Sequence, residues 1–313
     1  MTPRESLIAA MKREKPEGLP PHLELEFQIG EQTPGIETKA LRNADLEGIT
    51  GTQRQDLLKR NAEMWVKVAE RFDWACLTGL HWLNAEDQMQ SFQYVREIAG
   101  DTYMLSAFAD GTFGIPNGQN MVEHVIWLTE QEEEALEQAQ SNVDNSVAGV
   151  RPLIEAGAEI VFMCADYCFN DGPFLSPRMF AKYVTPFLTQ AVRGIQEAGA
   201  FAVKHTDGDI MPILDQLVDS GADALHSLDP MAGVDIAEVK LLYGDRIALI
   251  GNVNCAWVQA GTREQIAQSA RYCLEHGGAA SGGYVFATSN CIFAGVPLEN
   301  YDWMLQIRRE WEG

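Results

Sequence analysis

His205 and Asp207 are two metal-ligand residue types separated by a single position. They follow residues 201–203, an apolar run of the kind that forms a buried strand. In extended backbone, residues two apart project to the same side, so we expect the imidazole and the carboxylate to face one site. The alternative is structural: His205 would only end the strand, and Asp207 would form a turn with Gly208.

Polar side chains also follow the other apolar runs of the chain. In α/β proteins, ligand sites are built where the parallel strands end, so these side chains are candidates for one shared site. The set contains three of the six histidines, several carboxylates and a cysteine. These are more reactive and metal-binding side chains than we expect of a loop region alone. Its members are Glu24, Glu26, His81, Asp110, Asp166, Asp171, His205, Asp207, His226, Asp229, Asn252, Asn254 and Cys291.

The expected metal ligands are His205, Asp207 and Cys291. Zinc binds imidazole, thiolate and carboxylate groups, and a catalytic zinc site keeps one position open for water or substrate. Three such ligands would come from two strand ends that meet across the mouth of a barrel. Each has a structural alternative: Asp207 could support a ligand without binding metal itself, and Cys291 could be a packed thiol.

The remaining candidates are expected to act on the substrate. Asp166 would orient the substrate or protonate a leaving group, unless it only caps a loop. His226 is the second catalytic candidate, and it also competes with Asp207 as a metal ligand. The expected substrate-binding residues are Glu26, His81, Asp171 and Asn252.

Eight apolar runs alternate with helical patterns along the chain, which implies parallel βαβ units. Eight such units in about 300 residues predict an α/β protein with a (β/α)8 TIM barrel. The barrel would be a single catalytic domain of residues 21–313, after an N-terminal extension of residues 1–20. An open doubly wound sheet is the alternative, but no Gly-x-Gly-x-x-Gly turn follows an early strand. The expected strands are residues 22–27, 75–79, 103–108, 159–164, 201–205, 222–227, 246–251 and 283–287.

The composition excludes several classes of protein. A formal net charge of −22 argues against a nucleic-acid-binding protein, because a phosphate backbone requires a basic surface. No apolar run approaches the roughly 20 residues of a membrane helix, and no signal peptide is evident, so a cytoplasmic protein is expected. The six cysteines lack a disulfide-like spacing and are expected to be free thiols or metal ligands. The sequence allows a homo-oligomer without fixing the oligomeric state.

Several tracts resemble the uroporphyrinogen decarboxylase superfamily, mainly between residues 160 and 310. They are His-Thr-Asp-Gly at 205–208, Gly-Asn-Val at 251–253, Gly-Thr at 261–262, Gly-Tyr-Val-Phe at 283–286, Pro-Leu-Glu-Asn at 297–300, and Asp166 with Gly-Pro-Phe-Leu-Ser-Pro at 172–177. The resemblance implies a (β/α)8 barrel, in agreement with the strand count. It also implies one of two chemistries, decarboxylation of a tetrapyrrole or corrinoid-dependent methyl transfer.

Two departures from the family patterns separate these chemistries. Family decarboxylases carry an Arg-rich segment after the first strand, whereas residues 28–35 contain no Arg. Zinc-thiolate methyltransferases of the family carry a His-x-Cys pair and a later Cys. This chain is similar at His205 and Cys291, but Asp207 stands where the first Cys would be. An oxygen ligand makes a harder metal site, which suits methyl donors such as ethers better than thiols.

The sequence therefore predicts a methyltransferase with a zinc-assisted site. It would move a methyl group from a small methylated substrate, such as an aromatic methyl ether in O-demethylase-like chemistry, to cobalamin carried by a partner corrinoid protein. Two alternatives stay open: a decarboxylase resembling uroporphyrinogen decarboxylase, and a non-catalytic member that binds a small ligand or a corrinoid protein.

Overall fold

The computed structural model describes residues 1–36 and 39–312, so Gly313 of the expected catalytic domain lies outside it. The strands are β1 (Cys76–Leu77), β2 (Met104–Phe108), β3 (Ile160–Met163), β4 (Cys168–Phe169), β5 (Gly172–Pro173), β6 (Phe201–Thr206), β7 (Ala224–Ser227), β8 (Ala248–Gly251) and β9 (Tyr284–Val285). Seven of them form one curled parallel sheet in the order β1-β2-β3-β6-β7-β8-β9. The other two, β4 and β5, form a short antiparallel hairpin.

Helices connect most of the strands and confirm the α/β class. Within the described chain they are α1 (Pro3–Met11), α2 (Gly51–Phe72), α3 (Ala85–Ala99), α4 (Met121–Glu130), α5 (Glu132–Glu155), α6 (Pro177–Tyr183), α7 (Thr185–Glu197), α8 (Leu214–Asp219), α9 (Ile236–Tyr243), α10 (Cys255–Ala260), α11 (Arg263–His276) and α12 (Leu298–Arg309). Across residues 1–36 and 39–312, none of these helices is long and apolar enough to cross a membrane.

The N-terminal strand expected at residues 22–27 is not a regular strand, and the sheet is not a fully closed barrel. His22 makes single parallel bridges to Trp74, beside β1, and to Phe286, beside β9. Pro20 and Pro21 directly precede it and lack the N–H groups that a longer ladder needs. The N-terminal segment thus lies between the two edges of the sheet but pairs with them at isolated points.

The curled sheet separates two layers of buried apolar side chains. Its inner face carries residues such as Phe162, Val203 and Val285, and α1 adds Leu7 and Met11 to the same cluster. The outer face packs against the surrounding helices. Both faces of the strands are therefore apolar, which is why the strands read as continuous apolar runs in the sequence. The N-terminal extension contributes directly to the inner cluster, while the division of the chain at residue 20 stays a prediction.

Glu24 is the most deeply buried carboxyl group of the N-terminal segment, with no exposed surface. Its Oε2 accepts hydrogen bonds from the Thr288 hydroxyl at 2.6 Å and from the Thr288 backbone N–H at 3.2 Å. Burial raises the pKa of Glu24 to about 8, because the hydrogen bonds from Thr288 only partly offset the loss of solvation. The carboxyl group that ties the N-terminal segment to the chain after β9 is thus protonated at neutral pH.

We predict that Glu24→Gln flattens the pH dependence of stability between pH 4.5 and pH 8. In this window the folded wild-type protein holds a proton that the unfolded chain releases, so its free energy of unfolding falls as the pH rises. Glutamine cannot ionise, and its carbonyl can still accept from Thr288. The two proteins should be similarly stable at pH 5, whereas the variant should be more stable at pH 8 by several kcal/mol.

Urea unfolding at pH 5, 6.5 and 8 measures this difference. Glu197→Gln, which changes an exposed carboxylate on α7, serves as the control and should leave the wild-type slope unchanged. Equal pH slopes for wild type and Glu24→Gln would show that Glu24 is already ionised in the folded protein.

Candidate functional site

The parallel register of three neighbouring strands brings the candidate residues together. In the β6–β7 pair, His205 lies opposite His226, and Thr206 lies opposite Ser227. β3 lies on the other side of β6, and the chain that leaves β3 carries Asp166. The site therefore lies at the carboxyl ends of adjacent parallel strands, as the strand-end argument predicts.

The two histidines form a directly hydrogen-bonded pair. Nδ1 of His205 lies 2.7 Å from Nδ1 of His226, and both side chains are buried. Burial lowers the pKa of His205 to about 3, and burial together with His205 lowers the pKa of His226 well below its usual range. Both rings are thus neutral at pH 7, and one Nδ1 must donate while the other accepts.

This pairing leaves the other nitrogen of His205 to face two carboxylates. His205 Nε2 lies 3.9 Å from Oδ1 of Asp166 and 3.9 Å from Oδ1 of Asp207. One ligand atom from each of the three residues lies within 4.8 Å of the others. If His205 Nδ1 donates to His226, Nε2 carries a lone pair directed at this space. His226 can therefore fix the tautomer that His205 needs as a ligand.

Asp207 is held in place by neighbours on both sides. Ser227 Oγ donates to its Oδ1 at 2.7 Å, and Asn290 Nδ2 donates to its Oδ2. Its backbone N–H also donates to Asp166 Oδ1 at 3.0 Å. Burial raises the pKa of Asp207 to about 6, with the nearby carboxylates Asp166 and Asp229 adding to the rise. Two negative charges held this close favour a bound cation.

The backbone around Asp207 is specialised for this arrangement. Ser227 has φ of 82°, a conformation that costs a non-glycine residue about 1–3 kcal/mol and is frequent at functional sites. Gly208, at φ of 85°, allows the chain after β6 to contact the β4–β5 hairpin, because a Cβ there would lie 2.5 Å from the Cys168 carbonyl oxygen. The chain thus bends at Gly208, directly after Asp207, and the role of Asp207 in a site stays a prediction.

Cys291 does not join this group. Its neighbour Asn290 reaches Asp207, while the Cys291 Sγ lies 3.8 Å from Glu26 Oε2. Burial and the nearby carboxylates raise the pKa of the Cys291 thiol. The group that the structure brings together thus contains Asp166, which was expected as an acid or orienting group, and the role of Cys291 as a metal ligand stays a prediction.

Glu26 lies beside Cys291, and its charge acts on His81. The Glu26 carboxylate accepts from Gln28 Nε2 at 2.5 Å and partly offsets the fall in the pKa of His81 that burial causes. His81 Nδ1 hydrogen-bonds to the Thr78 carbonyl oxygen at 2.7 Å, and its ring stacks on Phe108 with 4.2 Å between centroids. These two expected substrate-binding residues therefore lie close to each other, and their role stays a prediction.

The other two expected substrate-binding residues lie elsewhere. Asp171 is exposed between β4 and β5. Asn252 is buried, and its Nδ2 donates to the Leu228 carbonyl oxygen at 2.5 Å while its Oδ1 lies 3.3 Å from Cys273 Sγ. The Asn252 amide is thus engaged in joining the chain after β8 to the chain after β7. The geometry gives no support to a contact between Asn252 and a substrate.

Two contributors to the site, Ser227 and Asn290, were absent from the predicted set. Their types carry no metal-binding signal, since serine and asparagine are common in every loop. The signal that the sequence did contain is position: Ser227 directly follows His226, and Asn290 directly precedes Cys291.

Comparison with known proteins agrees with the fold. A methyltransferase structure from Methanosarcina mazei covers 100% of both chains with a TM-score of 0.74 at 17% sequence identity. At that identity, the likeness establishes a shared fold.

Two curated relatives represent the two chemistries. The methylcobamide:CoM methyltransferase MtaA of Methanosarcina barkeri is 24% identical over 226 residues, 71% of this chain and 63% of that protein. A uroporphyrinogen decarboxylase of Psychromonas ingrahamii is 29% identical over 167 residues, 50% of this chain and 43% of that protein. The matches thus span less than two thirds of the length of either relative.

The family model described as uroporphyrinogen decarboxylase (URO-D) matches residues 88–311, well over half of the chain. The matched region contains Asp166, His205, Asp207 and His226. The resemblance found in the sequence is confirmed, and the methyltransferase relatives are consistent with its methyl-transfer branch. This chain belongs to the uroporphyrinogen decarboxylase (URO-D) family.

Proposed function

We propose that the chain is a methyltransferase that moves a methyl group from a small methylated substrate, such as an aromatic methyl ether, to a corrinoid carrier protein. The observation that carries this proposal is the convergence of Asp166, His205 and Asp207 at the strand ends. A methylcobamide:CoM methyltransferase among the relatives supports the corrinoid link. The substrate class follows from the two carboxylates in this group, because oxygen ligands make a harder metal site than thiolates do.

The three side chains fit a divalent metal ion such as zinc. Zinc–nitrogen and zinc–oxygen bonds are about 2.0–2.2 Å, so tetrahedral ligand atoms lie roughly 3.4 Å apart. The separations of 3.9 Å on either side of His205 Nε2 exceed this by about half an ångström, a shift within reach of side-chain rotation. The neutral imidazole and the two carboxylates supply two negative charges, which match a divalent cation.

The donor set also indicates which chemistry the site supports. A bound divalent metal would act as a Lewis acid on an oxygen atom of the substrate. Neighbouring residues position the side chains that would hold this metal. Ser227 and Asn290 fix Asp207, and His226 fixes the ring of His205. One nitrogen and two oxygens make a harder site than a thiolate set, and this favours an ether oxygen over a thiol.

A second candidate function is decarboxylation, which the relative from Psychromonas ingrahamii favours. This reaction would need a cationic pocket for substrate carboxylates and no metal ion. At the described strand ends, the buried cation Lys204 is paired with Asp110, while Asp166 and Asp207 carry the exposed charge. Turnover of uroporphyrinogen by metal-free protein would support this candidate over methyl transfer.

The first test is the metal content of the protein after equilibration with zinc and removal of unbound metal. We expect close to one zinc ion per chain in the wild type and loss of that ion in His205→Ala, because no other imidazole nitrogen faces the two carboxylates among the described residues. His276→Ala, at the end of α11, is the matched control and should retain the metal. A wild-type protein that takes up no metal would overturn the metal-assisted mechanism.

A second test determines whether Asp166 or Cys291 is the third metal ligand, beside His205 and Asp207. Asp166→Asn should weaken zinc binding by at least about tenfold, since even residues that only hold a ligand in place change affinity that much. Cys291→Ser should leave zinc affinity unchanged, because the thiol faces Glu26. Competition with a chromophoric chelator measures the affinities, and methyl transfer to cob(I)alamin measures activity. Loss of zinc in Cys291→Ser would instead show that the Cys291 thiolate is the third zinc ligand.

A further inference from the structure

Lys204 is a fully buried lysine whose position next to His205 is not explained by the site itself. It precedes His205 on β6, so its side chain points away from the site, toward the helix layer. Its ammonium group donates to Asp110 Oδ2 at 2.7 Å and to the Ala165 carbonyl oxygen at 2.8 Å. The same group lies 4.1 Å from the centre of the Tyr167 ring.

Asp110 completes a clamp around a single residue, Ala165. Its Oδ2 accepts the Ala165 backbone N–H at 2.8 Å, while Lys204 binds the carbonyl oxygen of that residue. Thr112 donates its N–H and its hydroxyl to Asp110 Oδ1 at 2.9 and 2.5 Å. Burial alone would raise the pKa of Asp110, but Lys204 and Thr112 outweigh it and hold that pKa below its usual value.

A second set of contacts holds the residue on the other side of Asp166. The backbone N–H of Tyr167 donates to Thr206 Oγ1 at 2.9 Å. The Tyr167 hydroxyl lies 2.5 Å from Thr112 Oγ1, which ties it back to the Asp110 loop. The two neighbours of His205 in β6 therefore hold the two neighbours of Asp166.

This arrangement matters because the Asp166 side chain has little support of its own. It is 47% exposed, and within the described chain its carboxylate accepts one hydrogen bond, from the Asp207 backbone N–H. Its place beside His205 is therefore set mainly by the backbone at Ala165 and Tyr167. A buried ion pair is on average no more stabilising than a well-packed apolar pair, so stability alone gives a weak reason for Lys204 and Asp110.

We propose that Lys204 and Asp110 are positioning residues that hold Asp166 at metal-binding distance from His205. The inference rests on the proposed metal site. The pair would act through the Ala165 backbone and would touch neither metal nor substrate. Thr206 would hold Asp166 from its C-terminal side, through the hydrogen bond from the Tyr167 backbone N–H.

The test uses the neutral double variant Asp110→Asn/Lys204→Met, because either single change would leave an unpaired charge in the interior. The matched control is Arg54→Met/Asp87→Asn. In that pair, Arg54 also binds a buried aspartate and two carbonyl oxygens, but it lies between α2 and α3. The measurements are zinc and Co²⁺ affinities by chelator competition, the visible absorption of the Co²⁺-loaded proteins, and urea unfolding.

We expect the Asp110→Asn/Lys204→Met variant to bind both metals about 10- to 100-fold more weakly and to show an altered Co²⁺ spectrum. The control variant should lose stability to a similar degree and keep the wild-type affinity and spectrum. Unchanged affinity and spectrum in the folded double variant would overturn the inference. An equal loss of affinity in the control would do the same, since general destabilisation would then be the cause.

A third variant keeps the inference testable if the double variant fails to fold. Thr206→Val retains the shape of the side chain but removes the oxygen that accepts the Tyr167 N–H. It should also weaken metal binding and change the Co²⁺ spectrum, and wild-type values for both would overturn the inference. Failure of the proposed function is distinguishable, because wild-type protein would then bind neither metal.

Discussion

The site depends on the parallel pairing of β6 with its two neighbours. The β6–β7 register places His205 beside His226, and the β3–β6 register places Met163 beside Lys204. A shift of one residue in either pair would turn His205 toward the helix layer and Lys204 toward the mouth. Register is therefore what places the His205 imidazole in the candidate site and the Lys204 ammonium group on the opposite face of the sheet, although the two residues are adjacent in the chain.

The same strand uses its two faces for different purposes. The inner face ends in His205, which meets Asp166 and Asp207, and the outer face ends in Lys204, which meets Asp110. Because β6 is covered on both sides, each polar side chain must find partners inside the protein. Those partners come from the chain that follows β2, β3 and β6. The polar residues at the strand ends therefore connect three neighbouring strands of the sheet at one point.

Seven of the eight expected strands, and the position of His205 and Asp207 at the end of one of them, were predictable from the sequence, because both depend on local patterns. Apolar runs bounded by polar residues identify buried strands, and period-two spacing directs His205 and Asp207 to one side. The irregular pairing at His22 and the direction of Cys291 depend on contacts across the fold. Lys204 was hidden for the same reason, because its partner Asp110 is 94 positions away in the sequence.

The position of Asp166 shows why residue type alone leaves several candidate ligands open. The sequence offered a thiol and several carboxylates, and zinc accepts both. In the structure, the Cys291 Sγ lies 3.8 Å from Glu26 Oε2, while backbone contacts of Ala165 and Tyr167 hold the chain at Asp166 beside His205. A carboxylate in place of a thiolate makes the metal a stronger Lewis acid toward oxygen, because less charge is donated to it. In the proposed metal site, the departure at Asp207 and the placement of Asp166 would therefore both favour substrates that react through oxygen.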